Sequence, residues 1–300
     1  MRRFLRKILV LCALLLVAAI ALDRISTAIF RKGRTVKAQW MHNMKGQHYD
    51  LVITGSSRGW WNIDMNAINE RCGIRSINLA TNHFRPAEIL LGLKIFLANG
   101  NTTDRLLLEV GYQKASDADE IFSATIYDHL PWLEEDLVFD HLSERDREFK
   151  WLRRIPYARY AKYNALWGPE EAIVTLLDKR RTLFDSTGSF FTDREYHGYP
   201  YLEIDAIDMS FDPDLAETIE ICRREGIAVE AFMAPYYKLR IAPGTNEEFH
   251  DMMDIYGIEL HDHSQLLDSS IYFDDNWHLG HRGGEAYTNI LMEEIICPEK

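Results

Sequence analysis

The chain has 300 residues, enough for one large α/β domain with an insertion or for two small domains. With 47% hydrophobic and 27% charged residues it has a globular composition, which argues against a disordered chain. The formal net charge is −12, and −16 once Arg2, Arg3, Arg6 and Lys7 are set aside, so the body lacks the basic surface that nucleic-acid binding needs.

Those four basic residues precede an apolar run of fifteen residues, Ile8 to Leu22, which Phe4 and Leu5 extend forward. A membrane span needs about 20 residues, so the run reads as a short signal anchor or as a signal peptide. Ala19-Ile20-Ala21 offers a cleavage site for the second case. The uncleaved anchor, residues 1–24, is the reading taken here. Its basic flank predicts a cytoplasmic N-terminus and an exported body. Residues 25–47 read as a polar, partly helical stalk, and residues 48–300 as the globular domain.

Asp50 to Thr54 is a short apolar β run that ends in the turn Gly55-Ser56-Ser57-Arg58. Ile77 to Ala80 is a second strand. Arg85 to Ala98 is an amphipathic helix, opened by Pro86 and stopped by Asn99-Gly100. Leu106 to Val110 is a third strand, apolar enough to be buried on both faces. From about 114 to 205 the alternation lapses into aromatics and charges, which predicts a mostly helical insertion over one rim of the sheet. A helix over 213–225, a strand over 227–233, a helix over 246–256, a strand over 258–260 and a last helix over 284–295 complete the pattern. Strands alternating with helices predict an α/β fold, with a parallel sheet and helices on both faces. Cys72, Cys222 and Cys297 give no disulfide framework and no metal-binding spacing. One disulfide is compatible with them, but buried free thiols are the expectation.

Sites in such sheets form at the carboxyl ends of the strands. The Ser57 turn lies there, and Asp275-Asn276-Trp277-His278 follows the last strand and can reach the same rim. A hydroxyl, an imidazole and an orienting carboxylate are the groups that acyl transfer through a serine ester uses. The plainer reading makes Ser57 a helix cap and His278 a packing residue. Arg58, Trp60, Trp61, Asn82, His83 and Tyr236 stand beside these strand ends and are candidate substrate contacts; core packing is the competing role for the two tryptophans. His261, His263 and His281 add imidazoles to the C-terminal region, but no His-Glu-x-x-His helix accompanies them, so no metal is assigned.

The blocks Gly55-Ser56-Ser57, Asn78-Leu79-Ala80 and Asp275-x-x-His278 resemble those of the SGNH/GDSL hydrolase superfamily. Within it they are similar to the membrane-anchored branch that includes alginate O-acetyltransferase-like and D-alanyl transfer proteins. The resemblance implies a three-layer, flavodoxin-like domain. It implies Ser57, Asp275 and His278 as the triad, and the backbone N–H groups of Ser57 and Ala80 as the oxyanion hole. Ala80 stands where the family has glycine. The family's Gly-x-Asn block is met only by Gly111-Tyr112-Gln113, without the asparagine. The implied activity is acylation, chiefly O-acetylation, of an exported polysaccharide or cell-wall glycan, with no cofactor. A multispanning membrane acyltransferase is the implied partner, at a bacterial inner membrane with the domain in the periplasm. A glycan esterase and a non-catalytic glycan-binding protein are the alternatives.

Overall fold

The computed structural model describes residues 1–83, 85–112, 122–177, 184–192, 194, 196–204 and 212–298. The chain divides into two units, one formed by 1–43 with 126–182, the other by 44–125 with 183–300.

The first unit is helical. Its opening helix, Arg2–Phe30, outlasts the apolar run and carries its buried residues Asp23, Thr27 and Phe30 at the C-terminal end. Phe30 packs on Tyr160 and Trp167, with ring centroids 5.5 and 4.9 Å away. A turn then leads into the helix Lys37–Asn43. Gln39 builds that turn: its Oε1 accepts from Thr35 N at 2.7 Å and its Nε2 donates to Phe30 O at 2.7 Å. Residues 25–43 are therefore packed against a core, unlike a free stalk. Of the helical insertion, the described helices run from Ala124–Trp132 to Pro169–Leu176. Residues 196–204 return to the second unit with a short strand and no helix.

Buried in the first unit, His129 shares a hydrogen bond of 3.1 Å with His42, whose ring stacks on Trp132. Burial pushes the His129 imidazole down to about 4. The folded state then refuses a proton that the unfolded chain accepts below its ordinary value near 6.5. Stability is retained at pH 7 and falls as pH drops through that window, by up to about 3 kcal/mol. Acid titration of the urea midpoint should show this fall between pH 6.5 and 4, and His129→Gln should flatten it.

The second unit carries a parallel sheet with strand order β2-β1-β3-β5-β7. Its strands are β1 (His48–Thr54), β2 (Ser76–Asn78), β3 (Thr102–Glu109), β5 (Ala228–Met233) and β7 (Glu259–Asp262). Every pairing between these strands is parallel; Ile53 lies opposite Asn78 on one side and Leu107 on the other. β1 and β3 are buried through their carboxyl-terminal halves, as their apolar runs predict. One core cluster holds Leu51, Ile53, Ile63 and Leu107 with Tyr287 and Leu291 of the last helix, His281–Leu291. A second holds Leu108, Ala231 and Met233 with Ile219 of the helix Pro213–Glu225 and Phe249 of Thr245–Tyr256. The helix Pro86–Ala98 begins at its proline, one residue inside the expected start. Two short strands have no counterpart in the sequence reading: β4 (Leu202–Ile204) and β6 (Leu239–Ile241) pair in parallel. Three residues each are too few to show a period.

Cys72 and Cys297 form a disulfide, with Cα atoms 5.8 Å apart, whereas the expectation was free thiols. They are 225 residues apart, so spacing carried no signal; only the fold brings the helix Met65–Cys72 beside the chain's last turn. Cys222 matches the expectation and is a buried free thiol. Opening the bridge releases a long loop in the unfolded state, worth about 2–4 kcal/mol. The Cys72→Ser variant and dithiothreitol treatment should lower the urea midpoint by the same amount; a midpoint unmoved by either would contradict the bond.

Candidate active site

β1 ends at Thr54, and the chain must turn at once into the one-turn helix Ser57–Trp60. Gly55 makes this turn with φ +141°, a backbone state that L side chains rarely adopt, and a Cβ there would meet Glu109 at 2.6 Å. Gly59, on the helix, would meet the same side chain at 2.7 Å. The elbow is thus pressed onto the carboxyl end of β3. Glu109 holds it by accepting from the Ser56 N–H at 2.9 Å and the Ser56 hydroxyl at 2.7 Å. Ser56 also caps the helix, accepting from Arg58 N. Capping therefore falls to Ser56, and Ser57 is left to do something else.

Ser57 Oγ lies 2.8 Å from His278 Nε2. His278 Nδ1 lies 2.9 Å from Asp275 Oδ2 and 3.0 Å from Oδ1. The two side chains converge because Asp275 Oδ1 also accepts from the N–H groups of Trp277 and His278, at 2.7 and 2.9 Å. That pattern is an Asx turn, and it accounts for the three-residue spacing. The turn is clamped at its base, where Asp274 N donates to His278 O at 3.0 Å and Gly280 N to Tyr272 O at 2.8 Å. Asn62, with φ +58°, fixes it to the segment after the elbow by donating to Leu279 O at 2.7 Å.

Burial pushes the Asp275 carboxyl upward, but the His278 imidazole and the two backbone donors outweigh this and hold it below the usual carboxylate range. Asp275 therefore stays ionised at neutral and mildly acid pH. The stability this contributes is complete above the ordinary carboxylate value and is lost only as pH falls through the lowered one. Its neighbour Asp274, buried, is pushed the other way. Asp275→Asn keeps the shape but reverses the hydrogen bond to Nδ1, so any turnover that runs through this relay should fall by roughly 10⁴-fold, measured as kcat/KM on an ester. An unchanged rate would remove Asp275 from the chemistry.

The remaining sequence candidates divide. Trp61 stacks on His278, with centroids 4.2 Å apart and planes at 26°. Its indole N–H donates to Asn82 Oδ1 at 3.0 Å, so Trp61 and Asn82 belong to the site. His83 is exposed, with φ +55°. Arg58, Trp60 and Tyr236 differ from the expectation of substrate contacts, because all three are buried in the scaffold. The Arg58 guanidinium pairs with Glu109 at 3.5 Å, donates to Ala234 O and lies 3.3 Å from the centre of the Tyr236 ring. The Tyr236 hydroxyl accepts from the Tyr112 N–H at 2.9 Å, and burial pushes that hydroxyl up to about 12. Trp60 donates to Gly188 O at 2.8 Å. The Ala80 N–H also differs from expectation: it already donates to Asn78 Oδ1 at 2.9 Å. The Ser57 N–H opens its helix and has no intrahelical acceptor, so it remains suited to an oxyanion. Gln113, in the third block, lies outside the described residues.

His261 and His263 pair with carboxylates, His261 with Glu230 at 3.3 Å and His263 with Glu294 at 3.1 Å.

A cleft of about 440 Å³ beside Asp275 is lined by Arg194, His197, Tyr199 and Asp274. The Arg194 guanidinium lies 5.2 Å from the centre of the Trp61 ring, so one cation borders both the stacked indole and the cleft. Nothing in the sequence marks these residues, because they come from an irregular segment with no motif. Glu109 had a readable signal in its favour, a lone carboxylate closing an apolar buried strand. Comparison of the chain with protein-family models and with curated proteins gives no match.

Proposed function

We propose that the second unit is a serine acyltransferase of the SGNH type that O-acetylates an exported polysaccharide or cell-wall glycan. The observation that carries this is the continuous relay from Ser57 Oγ to His278 at 2.8 Å and from His278 to Asp275 at 2.9 Å, at the carboxyl ends of the strands. The strand order supports the flavodoxin-like reading, since β2-β1-β3-β5-β7 is the 2-1-3-4-5 order of one doubly wound class. In the mechanism, His278 takes the Ser57 proton as Oγ attacks an acyl carbonyl, and Asp275 stabilises the imidazolium. The Ser57 N–H stabilises the oxyanion. The leaving group departs with the proton from His278, and an acyl-serine remains. A glycan hydroxyl then gives its proton to His278 and takes the acyl group, and His278 returns that proton to Ser57 Oγ as its bond to the acyl carbon breaks. The cleft with Arg194 and Tyr199 is the acceptor side of this scheme.

The helix Arg2–Phe30 is long and apolar enough to cross a membrane. With its basic N-terminal flank, it anchors the chain in a bacterial inner membrane in this reading, with the domain in the periplasm. The Cys72–Cys297 bond suits that oxidising compartment. A multispanning membrane protein would deliver the acyl group from the cytoplasm. One observation favours the rival reading of a non-catalytic glycan-binding module: Ala80 N–H is already bonded, which leaves the oxyanion hole short of a donor. Incubation with p-nitrophenyl acetate and an acetyl-free oligosaccharide separates the cases. Acetylated oligosaccharide supports the transferase, acetate release alone means an esterase, and neither means the binding module.

A further inference from the structure

The apolar part of the helix Arg2–Phe30 stands clear of the protein: apart from the partly exposed Ala19, residues 1–22 are exposed, and burial begins at Asp23. Asp23 is also the first charged residue after the apolar run. The place where the helix leaves an apolar medium is therefore the place where the first unit takes hold of it.

That hold is specific. Asp23 Oδ2 accepts from Arg159 Nη2 at 2.7 Å, and Asp23 Oδ1 accepts from the Tyr157 N–H at 3.1 Å. Thr27 adds a hydrogen bond of 2.7 Å to the Tyr160 hydroxyl. Tyr157 sits in a tight turn, closed by Ala158 N donating to Ile155 O at 3.1 Å, with φ +66°. A bulky residue in that conformation is held there by its surroundings. The turn is thus fixed level with Asp23. Ile155 in this turn is 53% exposed, and Trp151, four residues earlier on the helix Glu148–Arg154, is 41% exposed. Ile155 follows directly on that helix, and its N–H donates to Trp151 O at 3.0 Å, so the two residues lie one turn apart. Arg154 between them is exposed, as are Arg24 and Ile25 just past Asp23.

The apolar run from Ile8 to Leu22 has fifteen residues, or about 22 Å at ~1.5 Å per residue. A bilayer core is ~30 Å thick. A span this short draws its flanks towards the hydrocarbon, and with them whatever is bound at Asp23. Asp23 tolerates that position because its charge is paired and hydrogen-bonded. An exposed tryptophan, an exposed isoleucine and cations at this level match what a lipid–water boundary takes up.

We infer that the helix Glu148–Arg154 and the turn at Ile155–Ala158 form a second membrane contact, with Trp151 and Ile155 in the interfacial layer and Arg154 at lipid phosphates. This rests on the reading of the N-terminal helix as a membrane anchor. The contact adds a second point of attachment beside the helix and so fixes the tilt and rotation of the first unit on the bilayer.

The test uses the full chain, reconstituted in vesicles of phosphatidylcholine and phosphatidylglycerol, in a Cys12→Ser background; the other free thiol, Cys222, is buried. Nitroxide labels are placed singly through Leu16→Cys, Ile155→Cys and Leu266→Cys. Relaxation by oxygen, which concentrates in lipid, is compared with relaxation by a water-soluble nickel chelate. Leu266 is 47% exposed on the second unit and serves as the aqueous reference. The expected oxygen-to-nickel ratio is highest at 16 and severalfold higher at 155 than at 266. A high ratio at 16 with equal ratios at 155 and 266 overturns the second contact and leaves the anchor standing. Equal ratios at 16 and 266 remove the anchor, and this inference with it.

Discussion

Ser57→Ala eliminates the acyl-serine route, so ester hydrolysis and glycan acetylation should fall by roughly 10⁴-fold or more, to the level left by binding alone. The fold should survive. Ser56, not Ser57, caps the short helix and bonds to Glu109, and His278 keeps its bonds to Asp275 when the serine oxygen is lost. The urea midpoint of the variant should therefore match that of the parent, which separates a chemical defect from an unfolded one. A fluorophosphonate probe should label the parent and leave the variant unlabelled. A variant that retains acetylation would show that another nucleophile carries the reaction.

Glu109→Ala should have the largest effect on stability. Glu109 and Arg58 are a buried pair, with side chains 2% and 5% exposed. Removing the carboxylate leaves the guanidinium buried without its counter-charge, and takes the acceptor from both Ser56 donors. Breaking such a pair costs about 3–5 kcal/mol, a large share of a domain's stability. Glu109→Gln keeps a carbonyl for Ser56, though it loses the charge and turns an NH2 towards Arg58, so it should cost less than the alanine. Chemical unfolding of the detergent-solubilised chain orders the three proteins as parent, Gln, Ala. Equal midpoints would mean that the pair is not what holds the elbow. Because the elbow carries Ser57, the Gln variant should also lose activity before it loses its fold.

The difference between Glu109 and Ser57 illustrates what the sequence makes legible. Repeated patterns are readable: the apolar runs of β1 and β3, the proline and glycine that bound Pro213–Glu225, and the Ser and Asp-x-x-His blocks all announce themselves. The relay between distant blocks is readable because chemistry restricts which residue types can serve. Arg58, Trp60 and Tyr236 were misplaced for one reason. Position at a strand's carboxyl end says that a residue is near the rim, but not whether its side chain points to solvent or back into the scaffold. Arg58 turns inward because Glu109 and Tyr236 wait there, and Gly111 leaves room, since a Cβ at 111 would meet the guanidinium. The Cys72–Cys297 bond and the Asn62 clamp depend on residues more than 200 positions apart. No local pattern encodes such pairings. Arg194, His197 and Tyr199 line their cleft from a loop without periodicity, where neither turn chemistry nor hydropathy gives a signal.

In the proposed mechanism Ser57 is a nucleophile made ready by His278. The most direct test is peptide mass mapping of the full chain after a short, acid-quenched incubation with p-nitrophenyl acetate. One acetyl group is expected on the peptide that contains Ser57, absent from Ser57→Ala and accumulating far more slowly in His278→Ala. An unmodified Ser57 peptide in a folded parent protein, or acetylation that persists unchanged without His278, would contradict it.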